Sequence, residues 1–127
     1  MRVEHIGIYT TQLEALKQFY ETHFNAIAGE KYRNEKSGFE SYFLTFEGEA
    51  RIELMTSPHL KRTVKVEAPI GMAHLAFKVG AREEVDRLVV EFKSSGVTIV
   101  GNPRLTGDGY YEAVVEDIDG NLIEIVA

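Results

Sequence analysis

The amino-acid sequence predicts an α+β fold in which two βαβββ modules form a curled, eight-stranded mixed sheet with the helices outside. Three observations carry that expectation. The same order of strand-like and helix-like patterns runs twice along 127 residues. No linker or low-complexity stretch divides the two runs, so the chain reads as a single domain, 1–127, built from repeats at about 1–56 and 71–127. Finally, two His and two Glu recur at matched positions of the repeats.

The first repeat opens on 2–9, RVEHIGIY, a short strand pattern with Val3, Ile6 and Ile8. Across 11–24, TQLEALKQFYETHF, the residues Leu13, Leu16, Phe19, Tyr20 and Phe24 recur at helical spacing. Thr11 and Glu14 have the spacing of a capping box at its start. Strand-like stretches near 29–34, 39–47 and 50–56 follow, separated by KSG and EGE. The second repeat opens on 72–79, MAHLAFKV. Its helix is expected over about 81–94, with Val85, Leu88, Val89 and Phe92 inward and Gly96 as the stop. Strands near 97–100, 110–116 and 121–126 complete it, with DIDGN as the last hairpin turn. Residues 57–70, SPHLKRTVKVEAPI, connect the repeats.

Composition narrows the function classes. A formal charge of −6 argues against nucleic acid or an anionic membrane as the main partner. No segment reads as a leader or spans a bilayer, so a soluble, cytoplasmic protein acting on a small molecule is expected. The absence of Cys removes disulfides, zinc–thiolate sites and thiol nucleophiles together.

The matched polar residues are the strongest functional signal. His5 and His74 open the two repeats, 69 residues apart, and Glu53 and Glu124 close them, 71 apart. Neighbouring side chains on a strand point to opposite faces. Glu53 lies between Ile52 and Leu54, Glu124 between Ile123 and Ile125, and His74 between Ala73 and Leu75. The apolar neighbours would face the helices and leave the polar residue on the other face. His5 has Ile6 on one side but Glu4 on the other, so its pattern is less regular. Two carboxylates and two imidazoles meeting inside a curled sheet need a positive charge between them. A divalent metal supplies it, and the N₂O₂ donor set suits zinc, nickel, cobalt or manganese.

With VEHIGIY and MAHLAF as opening strands and EDIDGNLIEI as the closing hairpin, the whole chain resembles the vicinal-oxygen-chelate superfamily, the glyoxalase/dioxygenase group. The ligand order His, Glu, His, Glu is similar to that of glyoxalase I, lactoylglutathione lyase. The resemblance implies that His5, Glu53, His74 and Glu124 are metal ligands and that Glu124, or else Glu53, is the catalytic base. It implies proton transfer between neighbouring carbons of a hemithioacetal made from a thiol and a 2-oxoaldehyde, giving a 2-hydroxyacyl thioester. It also implies a homodimer, in which His5 and Glu53 of one chain meet His74 and Glu124 of the other. Epimerases, ring-opening dioxygenases, thiol transferases and non-catalytic resistance modules share the superfamily. Ile118 replaces the proline usual in its final hairpin, a change expected to affect turn stiffness. Lys61, Arg62 and Lys65 could meet an anionic substrate arm, although a solvated loop is the simpler reading. His23 and His59 have no repeat partner and read as structural or surface residues. Tyr110 and Tyr111 read as strand residues rather than site lining.

Overall fold

The structure, a computed structural model, describes residues 2–61 and 70–127. The chain divides into two units, Met1–Val64 and Lys65–Ala127. In the first, the order is β1 (His5–Tyr9), α1 (Leu13–Phe24), β2 (Ile27–Ala28), β3 (Tyr32–Asn34), β4 (Phe39–Thr45) and β5 (Arg51–Thr56). In the second it is β6 (Leu75–Lys78), α2 (Arg82–Ser94), β7 (Thr98–Leu105), β8 (Tyr111–Glu116) and β9 (Leu122–Val126). Each unit is thus a βαβββ module. The strands number nine rather than eight, because the stretch expected at 29–34 forms two short pieces on β4. Among the described residues no helix is long and apolar enough to cross a membrane.

In the first unit the strand order is β1-β5-β4-β2, with β3 also on β4. β1 and β5 run parallel and the other pairs antiparallel. One face of the sheet is apolar and lies under α1. Leu44, Ile52 and Leu54 are buried there with Leu13, Leu16, Phe19 and Tyr20 of the helix. Each fully buried side chain of this size contributes about 1.5–3 kcal/mol. The capping box expected from Thr11 and Glu14 does not form. The helix begins after Gln12, whose own N–H donates to the Thr10 hydroxyl at 2.9 Å. Glu14 instead accepts from Lys31 Nζ at 3.0 Å and from the Tyr42 hydroxyl. Asn25, in left-handed geometry, ends α1.

The second sheet has the equivalent order, β6-β9-β8-β7, with β6 and β9 parallel. Its covered face buries Ala113, Val115, Ile123 and Ile125 against Val85, Val89 and Phe92 of α2. Gly96 stops α2 as its position predicts. Its N–H donates to Lys93 O and that of Val97 to Phe92 O, and φ of +85° is where glycine costs least.

β7 departs most from expectation. It spans Thr98–Leu105 rather than 97–100, and passes through Gly101 and Pro103 without ending. Its register with β8 shifts twice, between Ile99 and Gly101 and again between Gly101 and Arg104. Bulges of this kind let a strand carry proline and glycine and turn a side chain to the other face.

Candidate metal centre

Strand register places the four expected residues. Gly7 pairs with Glu53 in the parallel β1–β5 ladder, and Ala76 pairs with Glu124 in the parallel β6–β9 ladder. His5 stands two residues before Gly7 and His74 two before Ala76. Residues two apart share a face, so each histidine lies diagonally across from its glutamate in the same way. His5 Nε2 is 3.7 Å from Glu53 Oε2, and His74 Nε2 is 3.3 Å from Glu124 Oε2. The residue directly opposite each glutamate is small. A Cβ on Gly7 would come within 2.6 Å of Met55 Cε, so glycine leaves the space that Met55 fills.

Side-chain exposure grades the pairs. The carboxylates of Glu53 and Glu124 are 17% and 20% exposed, the imidazoles of His5 and His74 40% and 42%. The acids sit low on the sheet and the imidazoles rise above them. Ile52, Leu54, Ile123 and Ile125 are buried on the opposite face, which fixes the direction of both glutamates.

Glu4 accounts for the irregular pattern around His5. It lies just before β1, and its carboxylate bonds to His5 Nδ1 and to the Arg51 guanidinium. These contacts, His5 first and Arg51 next, hold the Glu4 carboxyl below its ordinary range. A proton on Nδ1 leaves the Nε2 lone pair facing Glu53, the tautomer a metal ligand requires. Phe43 braces the group. The His5 ring meets it edge-on at 5.2 Å, and Arg51 lies over its face at 4.3 Å. His74 falls one residue before β6, slightly outside the strand predicted for it.

The donor pairs suit a metal ion. Two ligands each about 2.1 Å from one ion lie roughly 3.0–3.4 Å from one another, close to both observed separations. Neither separation matches a good hydrogen bond, for which about 2.9 Å is usual. Among the described residues no three His, Asp or Glu side chains form a metal-binding group. The structure therefore brings the four residues together as two pairs.

The other sequence candidates resolve individually. His23 lies in the last turn of α1 with its ring 5.0 Å from Phe19, a structural position. His59 is exposed in the turn after β5. Tyr111 is in β8, and its hydroxyl donates to Asp86 of α2 at 2.7 Å, which raises its pKa. Tyr110 lies just outside that strand and is exposed. Lys61 is exposed, while Arg62 and Lys65 lie outside the described residues. Asp117 holds the last hairpin, accepting from the backbone of Asp119 and Asn121 and from the Asn121 amide. Sequence reading missed Glu4, Glu112 and Arg104. Glu4 was visible as a polar break in the β1 pattern, whereas Arg104 is placed by a bulge that no local pattern marks.

The sequence pattern of the Glyoxalase/Bleomycin resistance protein/Dioxygenase superfamily matches residues 2–125. The chain belongs to this superfamily. Solved members share its fold. Glyoxalase I from Zea mays superposes with a TM-score of 0.80 at 22% identity, over 98% of this chain and 44% of the maize chain. The chain thus spans less than half of that enzyme. A glyoxalase family protein from Enterococcus faecalis gives a TM-score of 0.81 at 21% identity, over 99% of this chain and 97% of its own. In sequence, the uncharacterized protein YqjT of Bacillus subtilis (strain 168) is 25% identical over 132 residues, covering 98% of each. At these identities the superfamily and the fold are shared, and the chemistry rests on the site.

Proposed function

We propose that the protein is a metal-dependent, glyoxalase I-like lyase that isomerises a hemithioacetal of a 2-oxoaldehyde and a thiol to a 2-hydroxyacyl thioester. The observation that carries this reading is the repeated diagonal. The same parallel register sets His5 against Glu53 and His74 against Glu124. In this reading the two pairs are the halves of one site for zinc, nickel, cobalt or manganese, and a homodimer brings together halves from different chains.

A divalent ion held by these four residues supplies Lewis acidity to two neighbouring oxygens of the substrate. Glu124 removes the proton from the carbon that bears sulfur and oxygen, then returns it to the adjacent carbonyl carbon. The first carbon becomes the thioester carbonyl and the second an alcohol, with the hydroxyl proton passing between the two oxygens. The reaction is an isomerisation and needs no co-reactant. Glu53 anchors the ion from the other repeat.

The test begins with elemental analysis of the purified protein, followed by turnover of hemithioacetals made from several thiols. A metal-replete Glu124→Gln variant is expected to lose about 10²- to 10⁴-fold in turnover, the usual scale of general acid–base catalysis. Glu53→Gln should lose less. A near-normal rate in metal-replete Glu124→Gln would remove Glu124 as the base. Sedimentation that finds a monomer with one bound ion per chain would rule out a site shared between chains.

A further inference from the structure

The face of the second sheet that carries Glu124 also holds a charged row for which the chemistry above has no use. Register aligns Lys78, Val126, Glu112 and Arg104 across β6, β9, β8 and β7. The adjacent row contains Glu124 among small side chains, Ala76, Val114 and Gly101. Beyond it, the row of Leu122, Glu116 and Thr98 carries a negative charge. Glu124 thus lies between an acidic row and one whose two cations outnumber its single carboxylate.

Glu112 and Arg104 make an unusual pair. Glu112 is 8% exposed and, with Asp117, is one of two buried acidic residues among the described residues. Asp117 is used by its hairpin, but Glu112 serves no turn or helix end. Its carboxylate lies 3.4 Å from Arg104 Nη2, and the Arg104 side chain is 65% exposed. A buried carboxylate beside an exposed partner is a poor source of stability. It does fix one edge of a guanidinium and leave the remaining donors outward.

The β7 bulge puts the arginine there. Gly101 pairs with Val114 and Arg104 with Glu112, so β7 spends three residues where β8 spends two. Regular pairing would set Pro103 opposite Glu112 instead. Two strand spacings and two residues along the sheet separate the Arg104 and Glu124 backbones by about 12 Å.

We propose that Arg104, oriented by Glu112, binds an oxyanion, carboxylate or phosphate, at the far end of the substrate's carrier arm. The inference rests on the metal-isomerase reading and deepens it. The substrate is an extended, anionic thiol adduct whose two chelating oxygens lie at Glu124. The planar guanidinium fork matches either oxyanion through two parallel hydrogen bonds.

The test uses three hydroxamate chelators with identical flexible arms ending in a carboxylate, a phosphate or a primary amide. Calorimetry measures their binding to the metal-loaded protein. Both anionic probes should bind about 10- to 100-fold more tightly than the amide, the scale of a charged hydrogen bond. Arg104→Gln should bring all three to the amide's affinity without changing the amide itself. Arg104→Lys should keep part of the preference, because it restores charge without the fork. Glu112→Gln, checked for an unchanged melting curve, should reduce the preference but leave amide binding intact. A preference for only one of the anionic probes identifies which oxyanion the arm carries. If the wild-type protein binds all three alike, or Arg104→Gln leaves the gap intact, the anion site is overturned and the metal reading survives. If metal-loaded protein binds none of them, both fall.

Discussion

Glu4 shows how one residue outside a strand can set the chemistry within it. By holding His5 Nδ1 it fixes which ring nitrogen faces Glu53, although it touches no substrate. Replacing such an outer partner of a ligand histidine typically costs 10- to 100-fold in metal affinity. Glu4→Gln is therefore expected to weaken metal binding by about that factor with an unchanged melting temperature in the apo form, as chelator competition and thermal unfolding will show. Equal affinity in the variant would leave Glu4 a surface ion-pair residue. The directions of Glu53 and Glu124 were legible in the sequence because the apolar residue on either side is a local signal. Arg104 was not, because two register shifts break the alternation between Thr98 and Arg104.

Among the elements, the helices were the easiest to read, since α1 and α2 bury the residues their spacing predicts. Their ends were harder. A capping box is only one use for a glutamate near a helix start, and Glu14 finds a better one in Lys31 and Tyr42 across the surface. The Lys31 bond first, and the Tyr42 bond with it, hold the Glu14 carboxyl below its ordinary value, while Lys31 and Tyr42 are shifted upward. A lowered carboxyl contributes stability above its ordinary pKa and loses it as pH falls through the lower folded value. The raised lysine and tyrosine contribute below their ordinary values and lose it as pH rises through the higher ones. Glu14→Gln should thus cost a few tenths to about 1 kcal/mol near neutrality, and the cost should vanish in acid; urea titrations at both ends of that range will test it. The last hairpin depends more on one residue. Asp117→Ala removes a buried acceptor of three hydrogen bonds, and about 1–3 kcal/mol of stability should go with it in denaturant unfolding. Ile118, in place of the expected proline, takes no part in those bonds.

For the whole molecule, the βαβββ repeat was visible in the order of patterns, while the pairing of first strand with last was not, because it depends on contacts distant in sequence. An ion that binds only the folded chain adds stability by mass action. Saturation at 100 times the dissociation constant contributes about 2.7 kcal/mol. His74→Ala should lower the melting temperature of metal-loaded protein far more than that of the apo form; equal losses would make His74 an ordinary structural residue. If one ion joins both His–Glu pairs, hydrogen exchange should slow in both units together when metal is added. The pairing of β1 with β5 also has a consequence for synthesis. β1 leaves the ribosome without a partner and must wait until residue 56 has followed it. At about 5–20 residues per second that delay lasts a few seconds. Until then a nascent chain can offer an ion only solitary donors, which hold it weakly. Metal capture is therefore a late event in the protein's birth, reserved for a module that has already closed.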